Sequence, residues 1–337
     1  MSAFKIRDLS VEPGKTGFTM LPVTRTLRGD LALPVHVTHG SSPGPVLGVL
    51  GTVHGDESMP IYALREVKRT FDPRQLAGTL IIVPVTNPVA FAGFRRETEE
   101  QRENTDLHRA FPGSPSGSLT EMTAWTLGQH VFSQLTALVD LHSGGVGGRT
   151  QQRADLNEDA TGALRERSFE LCRAFGTGFV HVNFLPTSSA VGCANDRGII
   201  AAGVELGGAY LPTQMMEVYS QMVLRGVTNL LKLLKMLPGE MELPPKQFLF
   251  TRKERKEANP TRGGYLISKA DKLEDLGRRV RKDELLGTVV DPYTLEPSED
   301  LRAPCDGLLF FSRMSGVVEA GAKGFAIADA AGLKEVP

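Results

Sequence analysis

The sequence predicts an α/β domain, a mixed sheet flanked by helices, followed by a small β domain of barrel or sandwich type. Three observations predict it. Near-continuous apolar runs recur from Leu33 to about Leu206, and stretches of helical character separate them. A break with three prolines and a glycine, "MLPGEMELPP" (Met236 to Pro245), is then followed by short apolar pieces punctuated by glycine. Strands that are apolar on both faces, with helices between them, suit a sheet covered on both sides.

In chain order, "PVLGVLG" (Pro45 to Gly51) reads as a strand and Met59 to Thr70 as a helix. "TLIIVPV" (Thr79 to Val85) is the next strand, and Glu121 to Gln134 the next helix. "LTALVDLH" (Leu135 to His142) and "GFVHVNF" (Gly178 to Phe184) are strands on either side of a helix at Glu158 to Phe175. "GIIAAGVEL" (Gly198 to Leu206) is a strand that leads to a helix from Gln214 to Met236. The break places one domain over residues 1–240 and the small β domain over 241–337.

With 38 basic and 39 acidic residues, the net charge of -1 offers no excess of positive charge for a phosphate backbone or an anionic membrane surface. Nucleic-acid and membrane partners are therefore not expected. The first residues lack a continuous apolar segment, which suggests a cytoplasmic protein. Three widely spaced cysteines, Cys172, Cys193 and Cys305, make neither a paired framework nor a Cys-x-x-Cys metal site. A metal would have to be held by histidine and carboxylate.

"VLGTVHGDESMP" places His54 and Glu57 three apart where a strand gives way to a helix. Residues so spaced at a helix opening can point the same way, and hydrolytic zinc takes three protein ligands and one open position. His142, at the end of the apolar strand in "VDLHSGG", is the best third ligand. In "GVELGG", Glu205 ends another apolar strand, where a partly buried carboxylate suits a general base. Phe94 to Gly113 concentrates arginines, whose planar forks suit a substrate carboxylate. Within it, Arg102 and Glu97, Glu99, Glu100 and Glu103 read as a solvated charged surface.

Taken in order, "HGDE", "TDLHRAFPG", "VDLHSGG" and "GVELGG" resemble the succinylglutamate desuccinylase and aspartoacylase family, a branch of the zinc carboxypeptidase fold. Within it the chain is most similar to the bacterial N-acyl-amino-acid deacylases, N-acetyl-diaminobutyrate deacetylase among them. The resemblance implies one zinc ion per chain on His54, Glu57 and His142, with Glu205 activating a water and passing its proton to the leaving amine. It implies that Arg95 polarises the scissile carbonyl, with Arg96 the other candidate for that role. Arg109 matches the arginine that holds the substrate carboxylate, and Asp106 an acid that orients a zinc histidine through its ring N–H. The family usually has asparagine where this chain has His108, which alters the group beside Arg109.

The tail is similar to a lipoyl- or biotinyl-like fold, but its turn "APCDG" lacks a carrier lysine, so it reads as a structural or gating module. The expected activity is zinc-dependent removal of an acyl group from an N-acylated amino acid or related small molecule, by a homo-oligomer. The alternatives are a zinc carboxypeptidase for short peptides and an inactive binding protein of the same fold.

Overall fold

Burial along the predicted strands alternates between two separate apolar layers, and this alternation sets the architecture. The computed structural model describes residues 1–99, 103–145, 147–209 and 211–336; the surface readings of Glu100 and Arg102 lie outside the described residues. A small antiparallel pair, β1 (Phe4–Ile6) and β2 (Leu9–Val11), precedes a long hairpin, β3 (Lys15–Thr26) and β4 (Gly29–His39). There follow β5 (Ser42–Gly51), α1 (Met59–Thr70), β6 (Ala77–Val83), α2 (Pro88–Ala92), α3 (Leu119–His130), β7 (Ala137–His142) and β8 (Gly148–Asn157). Next come α4 (Gly162–Phe175), β9 (Phe179–Asn183), α5 (Ala190–Asp196), β10 (Ile200–Gly208) and α6 (Thr213–Leu233).

Beyond α6 the regular structure is β11 (Gln247–Thr251), β12 (Arg255–Ala258), β13 (Gly264–Ser268), a short turn at Leu273–Asp275, β14 (Arg279–Val280) and β15 (Leu285–Val290). It ends with β16 (Pro297–Arg302), β17 (Gly307–Arg313), β18 (Gly316–Val318), β19 (Phe325–Asp329) and β20 (Lys334–Val336).

The fold is the mixed α/β class expected, with all five predicted strands and all four predicted helices present. Strands β10, β7, β5 and β6 are parallel neighbours, as helical crossovers permit, and antiparallel strands continue the sheet on both sides in the order β12-β19-β17-β8-β10-β7-β5-β6-β4-β3. The outer edge of β8 is shared. Residues 148–150 pair with β17, whereas residues 154–157 pair with β9, which in turn pairs with β11. Strands from both sides of residue 240 thus belong to one sheet, and β13, β15, β16 and β18 form a separate, four-stranded antiparallel sheet.

Several boundaries move for local reasons. Helix α3 starts at Leu119, not Glu121, because Ser118 and Glu121 form a capping box: Glu121 N–H donates to the Ser118 hydroxyl at 3.2 Å, and Ser118 N–H donates to the Glu121 carboxylate at 2.7 Å. Helix α4 starts at Gly162, later than the predicted Glu158, because β8 runs on to Asn157. Sequence reading passed over the β3–β4 hairpin and β8. Among the described residues no helix is long and apolar enough to cross a membrane.

On one face of the sheet, Val139, Leu141, Ala154, Leu156, Val180, Ala202 and Val204 pack against α1, α4 and α6. On the other, Leu50, Ile81, Val83, Leu138 and Ala201 pack against α3 and α5. Helices α4 and α6 approach closely at Gly226, where an added Cβ would lie 2.8 Å from the ring of the fully buried Phe175. Alanine at 226 gains about 1 kcal/mol of helix propensity but incurs roughly 1–3 kcal/mol of overpacking. Gly226→Ala should therefore lower stability in urea unfolding, and Phe175→Leu in the same chain should recover part of the loss.

Candidate metal centre and active site

The centre is built on strand register. His142 on β7 stands beside Glu205 on β10, and Glu205 beside Arg153 on β8. One pleat deeper, Asp140, Gly203, Asp155 and His181 form a second row across β7, β10, β8 and β9. Residues two apart on a strand share a face, so each row lies over the next, on the side away from α1, α4 and α6. Gly203 leaves the space between the two aspartates clear of a side chain.

His54 and Glu57 arrive from the β5–α1 turn. They precede the helix instead of opening it: Glu57 N–H donates to the His54 carbonyl at 3.1 Å, and α1 begins at Met59. Gly55 lets this turn lie against α2, since a Cβ there would be 2.1 Å from the Ala90 carbonyl. The turn brings His54 Nδ1 to 3.2 Å from His142 Nδ1, with Glu57 Oε1 at 2.9 Å from the first and Oε2 at 3.0 Å from the second. Ser143 N–H also donates to Glu57 Oε2, at 2.9 Å.

Each imidazole is anchored at its other nitrogen, His54 Nε2 to Asp106 at 3.2 Å and His142 Nε2 to Asp140 at 2.9 Å. A carboxylate at Nε2 fixes the proton there and leaves the Nδ1 lone pair free. Two lone pairs and a carboxylate then converge, which is a donor set for a transition metal ion. Their separations approach the edge of about 3.3 Å of a tetrahedron with metal-to-ligand distances of about 2 Å. His108, Asp140 and His142 also come within reach of one another, but the Asp140 carboxylate is already engaged with His142.

The electrostatics favour a cation. Glu57 and Asp106 face the Arg96 guanidinium, Asp155 and Glu205 face that of Arg153, and Asp140 pairs with His142, so these five carboxylates meet two guanidiniums and draw further positive charge onto the histidines or an ion between them. Burial opposes charge on His142, but Asp140 and Glu57 outweigh it and hold its pKa well above the usual value. Burial likewise opposes charge on Glu57, and His54 and His142 outweigh it and hold that carboxyl well below. His108 behaves oppositely: burial, with His142 nearby, pushes its pKa down to about 4, so it is neutral at pH 7.

His54, Glu57, Arg96, His108, His142 and Glu205 line a single cavity of about 150 Å3, together with Asp155, Asn183, Phe184, Leu185, Val191 and Gly203. The segment from His181 to Gly198 provides four of these, Asn183, Phe184, Leu185 and Val191. Arg96 Nη2 donates to Asp106 at 3.2 Å, and Nη1 lies 3.6 Å from Glu57. Arg95 is exposed and outside this lining; its main chain instead supports the turn, its carbonyl accepting from Asp56 N–H at 3.1 Å. Arg109, on the short turn Leu107–Arg109, is also exposed and outside the lining. Asp106 caps that turn by accepting from His108 N–H at 2.8 Å.

Sequence reading missed Asp140, Arg153 and Asp155. The signal was a polar pair two apart on a strand, Asp140 with His142 and Arg153 with Asp155.

The family model described as "Succinylglutamate desuccinylase/Aspartoacylase catalytic domain" matches residues 43–234. The chain is 28% identical over 329 residues to the N-alpha-acetyl-L-2,4-diaminobutyric acid deacetylase of Halomonas elongata, covering 93% of this chain and 91% of that protein. The product-bound structure of the ectoine utilization protein EutE (DoeB) from Ruegeria pomeroyi superposes with a TM-score of 0.80 at 26% identity, over 94% of this chain and 95% of that one. A metallo-carboxypeptidase from Burkholderia cenocepacia shares the fold with a TM-score of 0.50 at 14% identity, over 63% and 64% of the two chains.

Removing the acid behind a histidine of this candidate donor set should weaken metal binding without abolishing it. Asp140→Asn and Asp106→Asn are each expected to lower zinc affinity by about 10- to 100-fold in chelator competition.

Proposed function

Because the chain belongs to the succinylglutamate desuccinylase/aspartoacylase family, we propose that it is a zinc-dependent deacylase of N-acylated amino acids or related small molecules. The observation that carries this reading is the meeting of His54, Glu57 and His142 with Glu205 in one small cavity. At about 150 Å3 it is well below the roughly 300–1,000 Å3 usual for ligand pockets, which favours a short acyl amino acid over an extended peptide.

His54 Nδ1, His142 Nδ1 and Glu57 would hold the ion, and zinc in such a setting supplies a Lewis acid and brings the pKa of a bound water toward neutrality. Glu205 takes the proton of the attacking water and delivers it to the departing amine. Arg96, half exposed beside Glu57 and His54, offers Nη1 to the oxygen that gains charge, and this favours it over Arg95 for that role. Asp106 serves twice, holding the His54 ring and the Arg96 fork. His108 is neutral, and among the described residues its buried Nδ1 has no partner, so a hydrogen-bonding nitrogen is left for substrate or water. Arg109 has a different place in this reading, outside the cavity, where it can meet a carboxylate only at the entrance.

The deciding experiment measures amine release from N-acetyl, N-succinyl and N-formyl amino acids, with Nα-acetyl-2,4-diaminobutyrate in the panel and blocked peptides as a contrast. Glu205→Ala should bind zinc as the wild type does and lose at least about 100-fold in kcat. Turnover retained in that variant would remove Glu205 from the mechanism, and preference for longer peptides would favour a carboxypeptidase. Arg96→Ala should cost about 100-fold or more in kcat, whereas Arg95→Ala should stay within a few-fold of wild type.

A further inference from the structure

Arg153 is buried at the sheet position beside Glu205, and its donors are almost fully engaged. Nε donates to Asp155 Oδ1 at 3.0 Å, Nη2 lies 3.4 Å from Asp155 Oδ2 and 3.5 Å from Glu205 Oε1, and Nη1 donates to the Thr150 hydroxyl at 2.5 Å. Asp155 is held in turn by His181 Nδ1 at 2.9 Å. His181 is fully buried and stacks on Phe250 with ring centroids 4.5 Å apart, while Phe310 of β17 lies 5.8 Å from the Arg153 guanidinium carbon. The guanidinium is therefore fixed by Asp155, Thr150 and Phe310 before it meets Glu205.

The other oxygen of Glu205, Oε2, is buried and, among the described residues, has no hydrogen-bond partner, and Glu205 lines the cavity. A buried carboxylate oxygen without a partner is costly unless a ligand or water completes it. Oε1 is the oxygen turned to Arg153, at 3.5 Å, and Oε2 is the one left for proton transfer. An arginine with so few donors to spare is poorly suited to grip a substrate carboxylate. We propose that Arg153, braced by Asp155, His181 and Phe310, is a positioning residue that fixes Glu205 for proton transfer. This rests on the deacylase reading only in taking Glu205 as the base.

The test compares Arg153→Ala and Asp155→Asn with wild type, all zinc-loaded, on the best substrate of the panel. Arg153→Ala should lose about 100-fold in kcat, the cost of a base displaced by about 1 Å, with KM and zinc content unchanged. Guanidinium ion at millimolar concentration should restore part of that kcat saturably. Crystal structures should show Glu205 in one rotamer in wild type and displaced in the variant. Wild-type kcat in Arg153→Ala, a rise in KM alone, failure of guanidinium to rescue, or an unmoved Glu205 would each overturn the proposal. If Arg153→Ala does not fold, Asp155→Asn carries the test: a loss of kcat at constant KM supports the proposal, and wild-type kcat overturns it. Failure of the deacylase reading shows separately, as a wild type that binds zinc and hydrolyses nothing. The Glu205 rotamers still decide the proposal in that case.

Discussion

Carboxylates buried at the end of a sheet must be answered by positive charge, and that demand organises this protein. A lone buried carboxylate would take up a proton before it paid the full cost of desolvation. Here each acid has a committed partner: Asp106 and Asp140 hold histidine N–H groups, and Asp155 holds Arg153. Those commitments have consequences one atom further on. Because Asp106 and Asp140 hold the Nε2 positions, the two Nδ1 atoms turn toward Glu57, and the three converge as a donor set that a cation or a shared proton can satisfy. Because Arg153 is held by Asp155, it meets Glu205 with a fixed edge.

The same strands supply the core and the chemistry. Val139 and Leu141 face α1 and α6 while Asp140 and His142 face the centre; Ala202 and Val204 do the same beside Gly203 and Glu205. The two-residue period of a strand lets one run of sequence serve both purposes. The strands therefore supply His142, Glu205 and the whole second row beneath them, while His54, Glu57, Arg96 and Asp106 are brought in by turns.

That arrangement also explains how far the sequence could be read. The strands, the helices and the four residues His54, Glu57, His142 and Glu205 stand in apolar or glycine-rich surroundings that mark strand ends. The stretch "GRTQQRADLN" is polar enough to read as a loop, yet it forms β8, because its polar side chains are answered by partners on β9 and β10. Arg153 acquires meaning only from register across three strands, which is a long-range property. Arg95 and Arg96 are adjacent on a loop, where no period tells inward from outward. The backbone decides: Phe94 has φ of +49°, Arg95 N–H turns back to the Ala90 carbonyl, and Arg96 is the side chain delivered to Asp106.

The strands beyond residue 240 take part in the same logic. The outer edge of β8 forks, with β17 on one half and β9 on the other, and Arg153 sits where the fork opens. Phe310 on β17 and Phe250 on β11 enclose His181 and the guanidinium from that side, with Phe310 and Phe250 ring centroids 5.2 Å apart. An arginine and a histidine at such a fork would meet water if those strands were elsewhere, and the low-dielectric surroundings that strengthen the Arg153–Asp155 pair would be lost. The last strands thus cover the buried side of the Arg153–Asp155–His181 cluster that stands behind Glu205.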